Sequence, residues 1–92
     1  MDAKMRDQVI RRLRSIQGHV KGIEKMVEED QYCIDVMRQV IATQAAMAKL
    51  NELILENHLN TCVIEAVRGN DAKARERVLD EIGDVFEMTR KV

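Results

Sequence analysis

Apolar residues recur every three or four positions along the first third of the chain. They form one stripe of an amphipathic helix and predict a helix over about residues 4–28. The acidic run 28–30 ends this pattern, and Asp30 is predicted to be the N-cap of the next helix. The stripe consists of Met5, Val9, Leu13, Ile16, Val20, Ile23 and Val27.

A second helical pattern runs from Gln31 to about Arg68 without a glycine or proline, and alanines cluster near its middle. A helix of this length would extend for about 55 Å at 1.5 Å per residue. A compact chain of this size has a radius of gyration of only about 12 Å. Because one protomer cannot cover such a helix, the sequence predicts an oligomer.

The clearest loop signal is Gly69-Asn70-Asp71, which combines a helix-ending glycine with an aspartate that can cap a last helix over about 72–90. The chain contains no proline or tryptophan and has one tyrosine and one phenylalanine, which argues against a β-sheet fold. We therefore expect a single all-α domain over 1–92, built as a three-helix protomer with one very long central helix.

No uncharged apolar segment approaches the roughly 20 residues that cross a bilayer. The first residues also lack the apolar stretch of a signal peptide. We therefore expect a cytoplasmic protein with reduced thiols. In that compartment, two cysteines are better explained by a metal or redox site than by a structural disulfide.

The candidate metal ligands are Cys33, His58 and Cys62. His58 and Cys62 are four residues apart, so both can reach one metal ion from one face of a helix, although a partly exposed histidine beside a buried cysteine explains this pair equally well. Cys33 precedes His58 by 25 residues, or about 37 Å of helix. It can join them only if two copies pack antiparallel about a two-fold axis, which gives two equivalent sites.

Two thiolates and one imidazole suit Cu(I) in a trigonal site, whereas Zn²⁺ would need a fourth ligand and Ni²⁺ further nitrogen or oxygen donors. A catalytic Cys–His dyad is disfavoured, because the chain lacks an obvious orienting Asp/Asn motif and a glycine-rich loop. His19 lies on the first predicted helix without a nearby cysteine, so a structural or DNA-proximal role fits it better than metal ligation.

The net charge of −1 hides an uneven distribution. Residues 1–26 carry seven basic and three acidic groups, which gives +4, and the remaining eight basic and thirteen acidic groups give −5. By itself the positive face of the first helix resembles an ordinary solvated surface. Repeated by an oligomer, it becomes a field that can contact DNA phosphates. No helix-turn-helix, zinc finger or basic zipper is apparent, so DNA shape would contribute much of the sequence preference.

Residues 8–68 closely resemble the copper-sensitive operon repressor family, the CsoR/RcnR group of bacterial metal-sensing repressors. The matching features are R-L-x-x-I-x-G-x-x-x-G-I at 12–23, the Tyr32-Cys33 pair and the H-x-x-x-C ending at 58–62. The resemblance implies an all-α protomer, an antiparallel dimer and a dimer of dimers. It also implies that the metal-free protein binds operator DNA and that the effector releases it.

The resemblance assigns Cys33, His58 and Cys62 to the Cu(I) ligands of the copper-sensing branch, where derepression switches on copper efflux genes. Tyr32 matches a tyrosine that acts with a glutamate on the last helix, and Glu81 is the candidate for that glutamate.

The DNA-contacting positions of the family correspond to Arg12, Arg14 and Lys49 of this chain. Arg11 and Lys21 extend the same positive face.

Other branches of the family fit less well. The nickel/cobalt branch replaces Cys62 by a histidine, the formaldehyde branch uses an N-terminal proline, and the persulfide branch lacks the histidine at 58. Copper is therefore favoured, with nickel or reactive-sulfur sensing as the alternatives within the family. A helical metal-storage protein that does not bind DNA and a thiol redox protein are the alternatives outside it.

Overall fold

The computed structural model describes the backbone of residues 1–91 and the side chains as far as Met88. Four α-helices follow one another: α1 (Ala3–Glu28), α2 (Cys33–His58), α3 (Ile64–Arg68) and α4 (Ala72–Lys91). One π-helical turn, Leu59–Val63, joins α2 to α3. No strand occurs in the described backbone, so the all-α prediction is confirmed.

Helix α1 is capped at both ends. At its start, Asp2 Oδ1 accepts a hydrogen bond from the Met5 N–H at 2.7 Å, which satisfies one of the free donors of the first turn. At its end, the Gln31 N–H donates to Met26 O at 3.0 Å and the Asp30 N–H to Val27 O at 3.1 Å. This pair of bonds is a Schellman motif, which requires a left-handed residue just past the helix, and Asp30 supplies it with φ 54°.

The prediction that Asp30 is the N-cap of the second helix is therefore wrong. Asp30 closes α1, whereas α2 begins at Cys33, and the Tyr32 carbonyl accepts from the Asp35 and Val36 N–H groups at 3.0 and 3.2 Å. Aspartate is suited to both positions, because its short side chain caps helix N-termini and also tolerates positive φ. The sequence pattern alone did not distinguish these two uses.

The contacts between Cα atoms divide the chain into two compact units, Met1–Leu55 and the segment from Glu56 onward. In the first unit, the predicted stripe of α1 packs against α2 around four buried residues, with three partly buried neighbours from α2. The buried residues are Met5, Val9, Ile16 and Leu50, and their neighbours are Ala46, Leu53 and Ile54.

Much of the apolar surface of the first unit is left uncovered. In α1, Val20 and Val27 are 50% and 58% exposed, and in α2, Met37 and Ile41 are 56% and 59% exposed. Large exposed apolar surface often marks an interaction site. The exposed residues of α2 belong to the long helix for which the sequence predicts a second copy.

In the second unit, α4 packs against the π turn and α3, with Val63 and Val78 buried. The predicted loop at 69–71 is confirmed. Gly69 follows the last residue of α3, and Asp71 Oδ1 accepts from the N–H groups of Lys73 and Ala74 at 3.0 and 3.3 Å. The predicted long helix from Gln31 to Arg68 ends where expected but is interrupted by the π turn.

None of the helices in the described part of the chain has both the length and the apolar character needed to cross a membrane.

The left-handed residue after α1 generates a stability prediction. Asp30→Gly should raise the free energy of unfolding by about 0.5–1 kcal/mol, because glycine adopts positive φ without the steric penalty of a Cβ atom. Urea unfolding at a fixed protomer concentration measures the change. Glu29→Gly is the control, since Glu29 has φ −88° and gains nothing from glycine. If Asp30→Ala proves as stable as Asp30→Gly, the positive φ is not a source of strain.

Candidate metal centre and nucleic-acid interface

Cys33 is the first residue of α2, and its thiol is free and exposed. Backbone hydrogen bonds fix the chain before and after Cys33. Those of Asp30 and Gln31 close α1, and those that the Tyr32 carbonyl accepts open α2. Tyr32, the residue before it, is 68% exposed. The predicted ligand and its neighbouring tyrosine thus stand together on the surface of the first unit.

His58 and Cys62 belong to the second unit. His58 is the last residue of α2 and is half-buried, while Cys62 lies in the π turn with an exposed free thiol. The sequence analysis placed both on a regular α-helix at i and i+4. The π turn alters this relation, because its hydrogen bonds span five residues instead of four. Single π turns inserted in α-helices occur frequently at functional sites.

A hydroxyl group that the sequence analysis missed lies beside Cys62. Thr61 Oγ1 is 2.8 Å from the carbonyl oxygen of Asn57 and 3.6 Å from Cys62 Sγ. The only signal in the sequence was a threonine next to the candidate ligand. The π turn that gives this threonine its surroundings has no recognisable sequence pattern.

No single protomer assembles the three predicted ligands. Helix α2 begins at Cys33 and ends at His58, so about 37 Å of continuous helix separates these two residues. In the described residues, no three His, Cys, Asp or Glu side chains lie together in a way that could hold a metal ion. The chain therefore presents two partial donor sets, a single thiol at the start of α2 and an imidazole with a thiol at its end.

The chemistry of these donors fits a soft metal ion. Both cysteines are free thiols at the surface, and a thiolate is a preferred ligand of Cu(I). An imidazole suits copper as well as zinc. Together the partial sets supply three donors, which is enough for Cu(I) and one fewer than a closed zinc site uses.

The predicted DNA-binding residues of α1 are all exposed: Arg11, Arg12, Arg14 and Lys21. Two of them, Arg11 and Arg14, line an open surface groove along α1 with Lys4, Asp7 and Ile10. Asp7 places one negative charge in this groove. The face is positive because the basic groups outnumber it.

Lys49 differs from the arginines because it already has a partner. Its Nζ lies 3.4 Å from a carboxylate oxygen of Glu52, with both side chains largely exposed. An exposed ion pair of this kind contributes about 0–1 kcal/mol, so a phosphate group can replace the carboxylate at little cost. The i, i+3 spacing of Lys49 and Glu52 is itself the sequence signal for this ion pair.

Glu81 is exposed on α4. It lines an open groove on the surface of this helix with five other charged residues: Lys73, Glu76, Arg77, Asp80 and Asp84. Its pairing with Tyr32 stays a prediction.

Comparisons with known proteins identify the family of the chain. The model of a family described as metal-sensitive transcriptional repressor matches residues 5–88. The copper-sensing transcriptional repressor CsoR of Bacillus subtilis (strain 168) is 40% identical over 89 residues, which are 97% of this chain and 85% of that protein. The CsoR of Mycobacterium tuberculosis (strain H37Rv) is 40% identical over 74 residues, covering 79% of this chain and 62% of that protein.

Two solved structures are similar to the whole chain. The copper-sensing repressor CsoR with Cu(I) from Geobacillus thermodenitrificans NG80-2 superimposes with a TM-score of 0.89 at 36% identity, covering 98% of this chain and 91% of that one. A variant of the formaldehyde-responsive regulator FrmR from Salmonella enterica has a TM-score of 0.81 at 24% identity, covering 95% and 96%. The second likeness supports the fold alone.

Proposed function

The chain belongs to the metal-sensitive transcriptional repressor family, and from this premise we propose that it is a Cu(I)-responsive repressor. Its metal-free form binds operator DNA, and copper binding releases the DNA so that copper efflux genes are expressed. The observation that carries the proposal is the split donor set, with soft ligands at the two ends of α2. Relatives of the chain are transcriptional repressors and not enzymes, which agrees with the missing catalytic motif.

The metal site is completed by a second copy of the chain. When two α2 helices pack antiparallel, Cys33 of one protomer meets His58 and Cys62 of the partner subunit, and the two-fold axis generates a second, equivalent site. The apolar surface of α2 supports this arrangement, since Met37 and Ile41 are more than half exposed in the protomer. Packing against a partner helix would remove these side chains from water.

DNA binding belongs to the positive face of α1 together with Lys49 of α2. Each phosphate that the protein neutralises releases condensed counterions, so the affinity should fall steeply with salt. A dimer of dimers repeats the face four times, so the positive groups add to one field, although the negative charge of the rest of the chain is repeated as well. Tetramer formation is therefore part of the DNA-binding function.

Copper can release DNA only if it binds more tightly to the DNA-free form than to the DNA-bound form. We assign this coupling to His58, the last residue of α2, which precedes Cys62 by four residues. Tyr32, next to Cys33, and Glu81 on α4 are the groups that would transmit the effect of copper binding from His58 to the last helix.

A test of the shared site uses two complementary variants. Cys33→Ala and Cys62→Ala should each lose high-affinity Cu(I) binding. When the two are unfolded and refolded together, mixed dimers regain one complete site, so about a quarter of the wild-type sites should return after random pairing. Competition against a chromophoric Cu(I) chelator measures the binding. No recovery in the mixture would contradict a site shared between subunits.

A second test removes the positive charge of α1. Arg12→Ala together with Arg14→Ala should abolish selective DNA binding and lower the salt dependence by about 0.9 in log–log slope for each lost phosphate contact. Binding is measured on a duplex that the metal-free wild-type protein selects from a random library.

The matched control for that experiment removes two exposed arginines outside α1, Arg38 and Arg77, and should retain binding. Cu(I) affinity should be unchanged in both double variants. If the wild-type protein selects no duplex, or if the α1 variant binds as well as the control, the chain is better described as a metal-storage protein.

The identity of the effector follows from a third test. Two exposed free thiols are also what a sensor of reactive sulfur requires, so DNA release should be titrated with Cu(I), Zn²⁺, Ni²⁺ and an organic persulfide in parallel. We expect only Cu(I) to release DNA, with a loss of affinity in the range of 5- to 150-fold that is usual for such coupling.

The same titration on His58→Ala distinguishes Cu(I) binding from the copper-dependent release of DNA. The two thiolates should still bind Cu(I), but the copper-dependent loss of DNA affinity should shrink to about twofold or less, because the coupling residue is gone. If His58→Ala responds to copper as fully as the wild-type protein, the assigned route of coupling is wrong.

A further inference from the structure

The Thr61 hydroxyl group has one hydrogen and two acceptors within reach. The carbonyl oxygen of Asn57 lies at 2.8 Å and the sulfur of Cys62 at 3.6 Å. A threonine hydroxyl donates a single hydrogen bond, so the two acceptors compete for it. Of these two contacts, the shorter one, to the carbonyl oxygen, is the stronger.

The bond to Asn57 crosses the boundary between two types of helix. Asn57 is in the last turn of α2, and Thr61 is in the π turn Leu59–Val63. Threonines that bond to the carbonyl four residues back bend helices, because the side chain adds a bond to a carbonyl oxygen of the backbone. The hydroxyl group of Thr61 therefore ties the π turn to the end of α2.

Thr43 shows that this kind of bond does not by itself produce a π turn. Its Oγ1 donates to the carbonyl oxygen of Gln39 at 2.9 Å, within the regular α-helix of α2. No cysteine neighbours it, since the next residue is Gln44. Two features set Thr61 apart from Thr43, namely the π turn and the adjacent sulfur atom.

We propose that Thr61 is a positioning residue of the metal centre, whose hydroxyl hydrogen moves from the Asn57 carbonyl to Cys62 Sγ when that sulfur is a metal-bound thiolate. A sulfur that carries negative charge is a stronger acceptor than a neutral thiol, since hydrogen bonds to ionised groups are roughly twice as strong as neutral ones. The exchange of acceptors itself changes no covalent bond, and the proton of the Cys62 thiol is released to solvent when the metal binds. The inference rests on the proposed function only in taking Cys62 as a metal ligand.

This exchange of acceptors would change the hydrogen bonding of the π turn when Cys62 binds the metal. Once the hydroxyl group leaves Asn57, the side-chain tie across the boundary of the π turn is lost. Val63 in that turn is buried, and α4 packs against the turn. A change in the turn therefore reaches α4 directly, through contacts within the second unit.

The experiment compares Thr61→Val and Thr61→Ala, which remove the hydroxyl group, with Thr61→Ser, which keeps it. The first two should weaken Cu(I) binding about five- to tenfold, because the bond to the thiolate is lost, and Thr61→Ser should restore it to within about twofold. Thr43→Val, which loses the equivalent bond in α2, is the matched control and should bind Cu(I) like the wild-type protein. Competition against a chromophoric chelator measures all four variants.

Amide hydrogen exchange supplies a readout that does not depend on affinity. In the wild-type protein, Cu(I) should speed exchange in residues 57–63. In Thr61→Val the metal-free protein should already exchange at the faster rate, and copper should add nothing. Wild-type-like Cu(I) binding in both Thr61→Val and Thr61→Ala, failure of Thr61→Ser to restore it, or an equal loss in Thr43→Val would each overturn the proposal.

The outcome separates this inference from the proposed function. If copper fails to release DNA from the wild-type protein while the variants follow the expected order, the repressor function is wrong and the role of Thr61 stands. If copper releases DNA normally and the hydroxyl group has no effect on binding or exchange, only the role of Thr61 is wrong.

Discussion

The rise of the α-helix is the constraint on which the proposed metal site depends. Helix α2 runs without interruption from Cys33 to His58, and each residue adds 1.5 Å along its axis. No rotamer of either side chain can bridge the resulting distance. Three soft ligands distributed in this way form a site only when a second copy of the chain brings its own α2 alongside. In the proposed site, metal binding therefore requires that the subunits are already associated.

The basic residues and the predicted metal ligands lie on different helices. The positive surface lies mainly on α1, whose buried stripe packs on α2 and whose opposite face is free for phosphate groups. The predicted metal ligands lie on α2 and the π turn. Because α1 packs on α2, the predicted DNA-binding helix contacts the helix whose first residue is a predicted ligand.

The π turn is the least regular part of the long helical run and contains Cys62, one of the predicted ligands. The Thr61 hydroxyl group has two acceptors there, the carbonyl oxygen of Asn57 at 2.8 Å and the sulfur of Cys62 at 3.6 Å. If Cys62 binds the metal as proposed, a change of hydrogen-bond partner would begin at this turn.

The amino-acid sequence by itself determined the helices, their ends at Glu28 and Arg68 and the loop at Gly69, because periodicity and helix-ending residues are local properties of the chain. From the helix rise it also predicted the need for a partner, and it supplied the candidate ligands and the candidate basic residues of α1, which stay predictions. The structure decided the left-handed role of Asp30 and the π turn beside Thr61. At both places two hydrogen-bonding patterns of similar strength are possible, helix capping or helix closure at Asp30 and α-type or π-type bonds at 59–63. Which pattern forms depends on the surrounding folded chain, and the sequence pattern does not distinguish them.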